Sequence, residues 1–233
     1  MATPLYQVVY KEIIQRIADG IYPPGTMLPS EFDLGDELGV SQGTARKALS
    51  ELERKRIVER RQGRGTFVTL RTPENSLFHF FRLRTADGQQ VAPSLDSEEV
   101  VRRAAKQQER ETLFGNPKEV FEISRVRSFR DKPLCHEASV VPVELFPGLP
   151  ERAPLPNTLY VLFQQAYSCV IISAEDHLRA GILGPELGAK LGTEPNAPSI
   201  IADRKAYDLL ERVVELRTSV YLTDDVFYSV MMD

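Results

Sequence analysis

Along the first seventy residues the apolar positions recur at the three- and four-residue steps of amphipathic helices. Tyr6, Val9, Ile13 and Ile17 form one stripe, with Thr3 as its cap, Pro4 at the first helical position and Gly20 at its end. Tyr22, Pro23, Pro24 and Gly25 make a rigid turn. Ser30 then caps a short helix with Asp33 three residues on, and Gly39 ends that helix in the left-handed conformation. Ser41 caps the next one. Its Ala45, Ala48, Leu49 and Leu52 fall on a buried stripe, and Gln42, Arg46, Lys47 and Ser50 fall outside it. After Leu52 the pattern becomes that of strands, with Ile57 to Arg60 pairing with Thr66 to Thr69 across a turn that carries Arg61 and Arg64 at its tip. Two helices, a turn and a hairpin describe a helix-turn-helix followed by a β-wing, in which the exposed start of the second helix meets base edges and phosphates.

Residues 70 to 76 (LRTPENS) are polar, contain a proline and interrupt the periodicity. They divide the chain into a first domain of residues 1–70, a linker of residues 71–76 and a second domain of residues 77–233. In the second domain the pattern predicts a strand at Leu77 to Leu83, a turn at Ala86 to Gln89 and a strand at Val91 to Leu95. Asp96 and Glu99 form a capping-box variant that predicts a helix over residues 97–111. Glu119 to Phe129 is the clearest strand, and Asp131, Lys132 and Pro133 turn it into a second one around Cys135 to Val141. Further strands are predicted over residues 168–173, 199–208, 213–221 and 226–231, with helices over 176–182 and 185–191. Successive strands with a few helices give an α+β domain around a mainly antiparallel sheet.

The chain has 233 residues, long enough for two domains with a sizeable core. No apolar run reaches the roughly 18 residues of a membrane helix, and the N-terminus lacks a basic and apolar signal, so the expected location is the cytoplasm. Cys135 and Cys169 are too few and too far apart for a disulfide framework or a zinc cluster, and no metal or cofactor is expected. The net charge of −4 argues against nucleic acid, but its distribution reverses that inference. Residues 40–66 hold eight Lys/Arg against three Glu, and residues 71–233 hold 19 basic against 24 acidic residues. Screening confines each charge to about 8 to 10 Å, so the local basic surface, coincident with helix and wing, decides.

These residues resemble a known family. PLYQVVYKEIIQRIADGIYPPGTMLPSE, VSQGTARKAL and ERRQGRGTFV, in this order and spacing, are similar to the winged helix of GntR-family bacterial transcription regulators over residues 4–69. The resemblance implies contacts to double-stranded operator DNA from Ser30 and Glu31, from Ser41, Gln42, Gly43, Thr44, Arg46 and Lys47, and from Arg64, Gly65 and Thr66 of the wing. Phe32 and Gln42 stand where many family members carry arginine, which alters the expected base preference. VFEISRVRSFRDKPLCHEASVVPVELFPGL, the Arg204 to Tyr207 segment and RVVELRTSVYLTDDVFYSV resemble the UTRA effector-binding domain of the HutC subfamily, a fold similar to chorismate lyase. The expected molecule is therefore a homodimeric regulator whose C-terminal domain binds a small effector.

On a strand alternate residues share a face, so Phe121, Ile123, Arg125, Arg127 and Phe129 lie together. A guanidinium on an apolar face needs an anionic partner. The resemblance places Arg125, Arg127, Glu137, Arg204, Tyr207, Glu215 and Tyr228 around an effector pocket, with a carboxylate or phosphate as the expected ligand group. The structural alternative pairs Arg125 with Glu137 and Arg204 with Glu215 as internal salt bridges. Two enzymatic readings compete. Gly39 to Gly43 spell the GxSxG of an esterase elbow, with His79, His136 or His177 as the histidine, but that elbow needs a strand before the serine and DLGDEL reads as helix. The likeness to chorismate lyase points to a lyase, whereas the UTRA resemblance implies binding without turnover.

Overall fold

The computed structural model describes residues 3–230; the side chains of residues 77–79, His79 among them, and Met231 at the end of the last expected strand lie outside the described part. The first domain comprises α1 (Leu5–Ala18), α2 (Glu31–Leu38), α3 (Gln42–Arg54) and an antiparallel hairpin of β1 (Val58–Arg61) and β2 (Gly65–Val68). Pro4, not Thr3, occupies the cap position of α1. The other helix signals act as their chemistry dictates. Ser30 and Asp33 close both hydrogen bonds of a capping box, and Gly39 ends α2 at φ +64°. Gly35 serves close packing instead, since a Cβ there would stand 2.9 Å from the Val40 carbonyl oxygen and only glycine lets the turn fold back against α2. Ile13, Ile17, Leu34, Ala45, Ala48, Leu49 and Leu52 are sealed between the three helices and the hairpin.

The second domain is a six-stranded sheet of order β4-β5-β6-β9-β8-β7, antiparallel throughout, as the α+β reading expects. Its strands are β4 (Ser94–Ala104), β5 (Glu119–Phe129), β6 (Lys132–Pro142), β7 (Ile171–Ile182), β8 (Pro198–Asp208) and β9 (Val213–Tyr221). The β5–β6 turn is tight, with Arg130 and Asp131 both at positive φ. A separate ribbon pairs β3 (Leu83–Thr85) with β10 (Val226–Tyr228). The helices are α4 (Pro73–Phe80), α5 (Gln107–Thr112), α6 (Leu159–Tyr167) and α7 (Pro185–Lys190). One sheet face packs against α4, α6 and the segment before α6, through Phe80, Phe146, Leu155, Leu159, Tyr160 and Phe163. The opposite face meets Leu113 after α5, and Leu187 and Leu191 at α7.

Three expected elements are different in kind. Residues 77–83 are not one strand: α4 starts at Pro73 and runs to Phe80. Thr72 and Asn75 exchange side-chain-to-backbone bonds at its start, so the proline sits at the first helical position, where it favours a helix. Residues 97–104 and 176–182 are not helical as predicted but belong to β4 and β7, the two outer strands of the sheet; of the helix expected over residues 97–111 only the end forms, as α5 from Gln107. Both strands carry charged, helix-tolerant residues because one edge and much of their surface meet water, and pairing with β5 and β8 overrides local propensity. Helix α6 has no counterpart in the pattern-based expectation. The two domains are in contact, with Val170 and Leu209 of the second buried against the core of the first.

Candidate functional site

Register across the sheet gathers a set of buried charges on the face beneath α4 and α6. Glu98 of β4 lies opposite Arg125, Arg125 opposite Glu137, and Arg204 opposite both Arg217 and Asp176. Arg125 is 1% exposed, Glu137 2% and Glu215 0%, so each needs a partner. Arg125 pairs with Glu98 at 2.5 Å and donates to the Pro156 carbonyl at 3.1 Å. Arg127 donates through Nε to Glu137 at 2.5 Å, and its two outer nitrogens donate to one residue, Asn157, at Oδ1 and at the backbone carbonyl. Arg217 reaches Glu215 at 2.8 Å, Ser139 at 2.9 Å and Glu137 at 3.5 Å. Tyr160 of α6 donates to the other Glu215 oxygen at 2.5 Å. Arg204 grips Asp176 at 2.6 and 2.7 Å and donates to the Phe80 carbonyl, while the Tyr228 hydroxyl donates to Asp176.

Charge partners therefore exist, but not the two pairs expected. Arg125 turns to Glu98 and Arg204 to Asp176, because the cross-strand neighbour on the outer side brings its carboxylate closer. Burial by itself would raise the Glu137 carboxyl, and Arg127 and Arg217 more than offset that, holding it down to about 2. Asp176 is likewise lowered: Arg204 and the Tyr228 hydroxyl outweigh its burial. Six of the seven expected pocket residues share this face. Tyr207 does not: β8 alternates, so its ring points to the other side of the sheet, beside Glu175, Ser173 and Lys55 of the first domain. Glu98, Asn157, Tyr160, Asp176 and Arg217 belong to the cluster and had not been singled out. Only Arg217 left a signal, in the inward alternation of Glu215, Arg217 and Ser219 along β9. The cleft within the cluster, lined by Ser76, Phe81, Arg127, Asn157, Tyr160 and Arg217 among others, has a free volume of only about 40 Å³.

The second surface is on the winged helix. Ser30, Glu31, Gln42, Arg64, Gly65 and Thr66 line one concavity between α2, the start of α3 and the wing, together with Phe32, Arg60 and Arg61. Glu31 holds Arg46 at 2.8 Å and Arg60 at 3.5 Å. Ser41 caps α3 by accepting from the Thr44 amide, and Gly43 adds no side chain between the two. Lys47 lies on the other flank of α3, its ammonium 4.0 Å from the Tyr6 ring centre. Ser41 is thus preceded by helix α2, and the strand that a GxSxG elbow requires is not there. Cys135 and His136 face opposite sides of β6, and among the described residues no group of three His, Cys, Asp or Glu could hold a metal.

Comparison with known proteins matches both surfaces to described domains. Residues 5–68 match the model for bacterial regulatory proteins of the gntR family, and residues 92–226 match the UTRA domain. The chain belongs to the GntR family. Among relatives of this GntR-family chain, the mannosyl-D-glycerate transport/metabolism system repressor MngR of Escherichia coli K12 is 28% identical over 98% of this chain and 95% of its own. The E. coli K12 protein named "Probable fructoselysine utilization operon transcriptional repressor" is 31% identical over 72% of this chain and 70% of its own. The ligand-binding domain of a GntR-family regulator from Bordetella bronchiseptica superimposes with TM-score 0.59 at 26% identity, covering 66% of this chain and 98% of that one. PhnF from Mycobacterium smegmatis, at 22% identity and TM-score 0.56, shares the fold over 97% of this chain and 99% of its own. The GntR-family chain is accordingly a DNA-binding transcription regulator with a C-terminal UTRA domain.

Proposed function

We propose that the chain is a homodimeric, cytoplasmic repressor that binds a palindromic operator and is released by a small anionic, hydroxyl-bearing metabolite bound on the inward face of the UTRA sheet. The observation that carries this reading is the pairing of Arg127 with Asn157. Both outer donors of the guanidinium end on one residue of the segment that leads into α6. A ligand carboxylate or phosphate offers the same two acceptors with full charge, and takes them over in the bidentate geometry that guanidinium favours. Glu137 and Glu215 are then placed to accept from ligand hydroxyl groups. The names of two relatives, built on mannosyl-D-glycerate and fructoselysine, support a sugar-derived effector.

Displacing Asn157 moves the start of α6, and α6 ends at the domain junction. One turn beyond Tyr160, Gln164 accepts from the Arg71 amide at 2.8 Å and donates to the Thr69 carbonyl at 3.2 Å. Arg71 donates to the Ile171 carbonyl and lies over the Phe80 ring; burial lowers its guanidinium to about 10. Chain leaving the wing is therefore tied to the helix that closes the pocket. That is the element both sites bias.

Binding is measured with the full chain and an operator selected by it from random duplexes. Affinity should fall with salt at about −0.9 in log–log slope per phosphate neutralised, and Arg64→Ala should flatten the slope by about one unit. In a melting screen of sugar acids and sugar phosphates, a true effector at a hundred times its dissociation constant adds about 2.7 kcal/mol. Arg127→Ala should abolish that gain while preserving ligand-free operator binding. Gln164→Leu should still bind the effector but lose most of the effector's influence on operator affinity. A ligand that binds Arg127→Ala with unchanged affinity would place the pocket elsewhere.

A further inference from the structure

Two large apolar side chains stand exposed in the winged-helix concavity, and Met27 lies against Gly65 of the wing, which leaves Phe32 as the one that neither packing nor phosphate binding explains. Phe32, the second residue of α2, is 62% exposed and takes no part in the core of its domain. A large apolar side chain left in water amid polar and cationic neighbours is the informative kind of exposure. Phe32 lines the concavity with Gln42, the first residue of α3, and with Arg64, Gly65 and Thr66 of the wing. Its neighbour Glu31 is engaged by Arg46 and Arg60, which fixes the carboxylate beside it and leaves the ring facing outward.

A benzyl group has no charge for a phosphate and no hydrogen bond for a base edge. The contact it can make is apolar. Among the groups that base pairs display in the major groove, the C5 methyl of thymine is the apolar one. The position of Phe32, next to the residue that opens the recognition helix, puts it within the same groove as Gln42. We propose that Phe32 reads a thymine methyl, once in each half-site, and so sets part of the operator's sequence preference. This rests on the operator reading above.

A methyl-deletion scan tests it. The wild-type chain selects its operator from random duplexes, and each thymine in turn is replaced by uracil, which removes the methyl and nothing else. One position per half-site should weaken wild-type binding about fourfold, the value of burying one methyl-sized group. In Phe32→Ala, whose melting temperature should match the wild type because the ring is exposed, the same uracil should cost nothing; Phe32→Leu should keep part of the effect. The proposal is overturned if no uracil weakens the wild type, if the penalty persists in Phe32→Ala, or if Phe32→Ala weakens operator and unrelated duplexes equally. A wild-type chain that enriches no sequence overturns the operator reading and this proposal with it, whereas enrichment without a methyl effect overturns this proposal alone.

Discussion

Glu137 shows how single residues set the chemistry of the UTRA face. Its carboxylate is sealed from water, and it stays ionised because Arg127 and Arg217 stand on either side. A carboxyl that titrates near 2 in the folded state and near its ordinary 4.5 when unfolded stabilises the protein fully above about pH 4.5. That contribution, on the order of 3 kcal/mol, is lost as pH falls from about 4.5 towards 2. Glu137→Gln should therefore melt lower at pH 7, since it takes from buried Arg127 its carboxylate partner and from Arg217 the second of its two, and should lose less on going from pH 5 to pH 2.5. Melting curves across that range check it, and a variant profile parallel to the wild type would place the acid sensitivity in other carboxylates. The pair of strand arginines was legible from alternation alone. Their partners were not, because choosing between Glu98 and Glu137 depends on which strands lie side by side.

Elements differ in how openly they announce themselves. The recognition helix and the one before it are written in local signals: Ser30 with Asp33, Gly39 in the left-handed region, Ser41 as cap. Replacing Ser30 by alanine removes one cap and should cost about 1 kcal/mol. Because the start of α2 lines the concavity proposed to meet DNA, the same change should weaken operator binding; a melt unchanged within error would show the capping box to be idle. The interior strands β5, β8 and β9 are plainer than the outer ones, since most of their residues are buried or half-buried and Val, Ile, Phe, Ala and Tyr recur along them between the inward-facing charges. The outer strands β4 and β7 misled. Glu, Arg and Ala on a half-exposed strand look like a helix, and only the hydrogen bonds of a neighbouring strand make them extended.

At the scale of the whole molecule, one winged helix contributes too few reading residues for genomic specificity, and two-fold symmetry of the protein would match a palindromic operator. Light scattering of the full chain at micromolar concentration without DNA should give twice the 26.3 kDa chain mass. A monomer mass there would remove the dimer from the proposal. Within one chain, the domains are joined by more than a linker: Val170 and Leu209 enter the core of the first domain, and Lys55 approaches Glu211 at 3.7 Å. Leu209→Asp should therefore lower the stability of both domains, read as a common fall in their melting transitions.

Capping, turn chemistry and helical or two-residue periodicity are local, so the order of residues along the chain is enough to specify the winged helix, the buried strands and the presence of inward arginines. Sheet order, the partner of each buried charge and the removal of Tyr207 to the opposite face depend on residues distant in the chain, brought together only by strand register. The same holds for Gln164. Nothing in its neighbourhood along the chain marks it, and its amide gains a role only because folding brings the end of the wing against α6, where half-buried backbone groups of Thr69 and Arg71 must find partners.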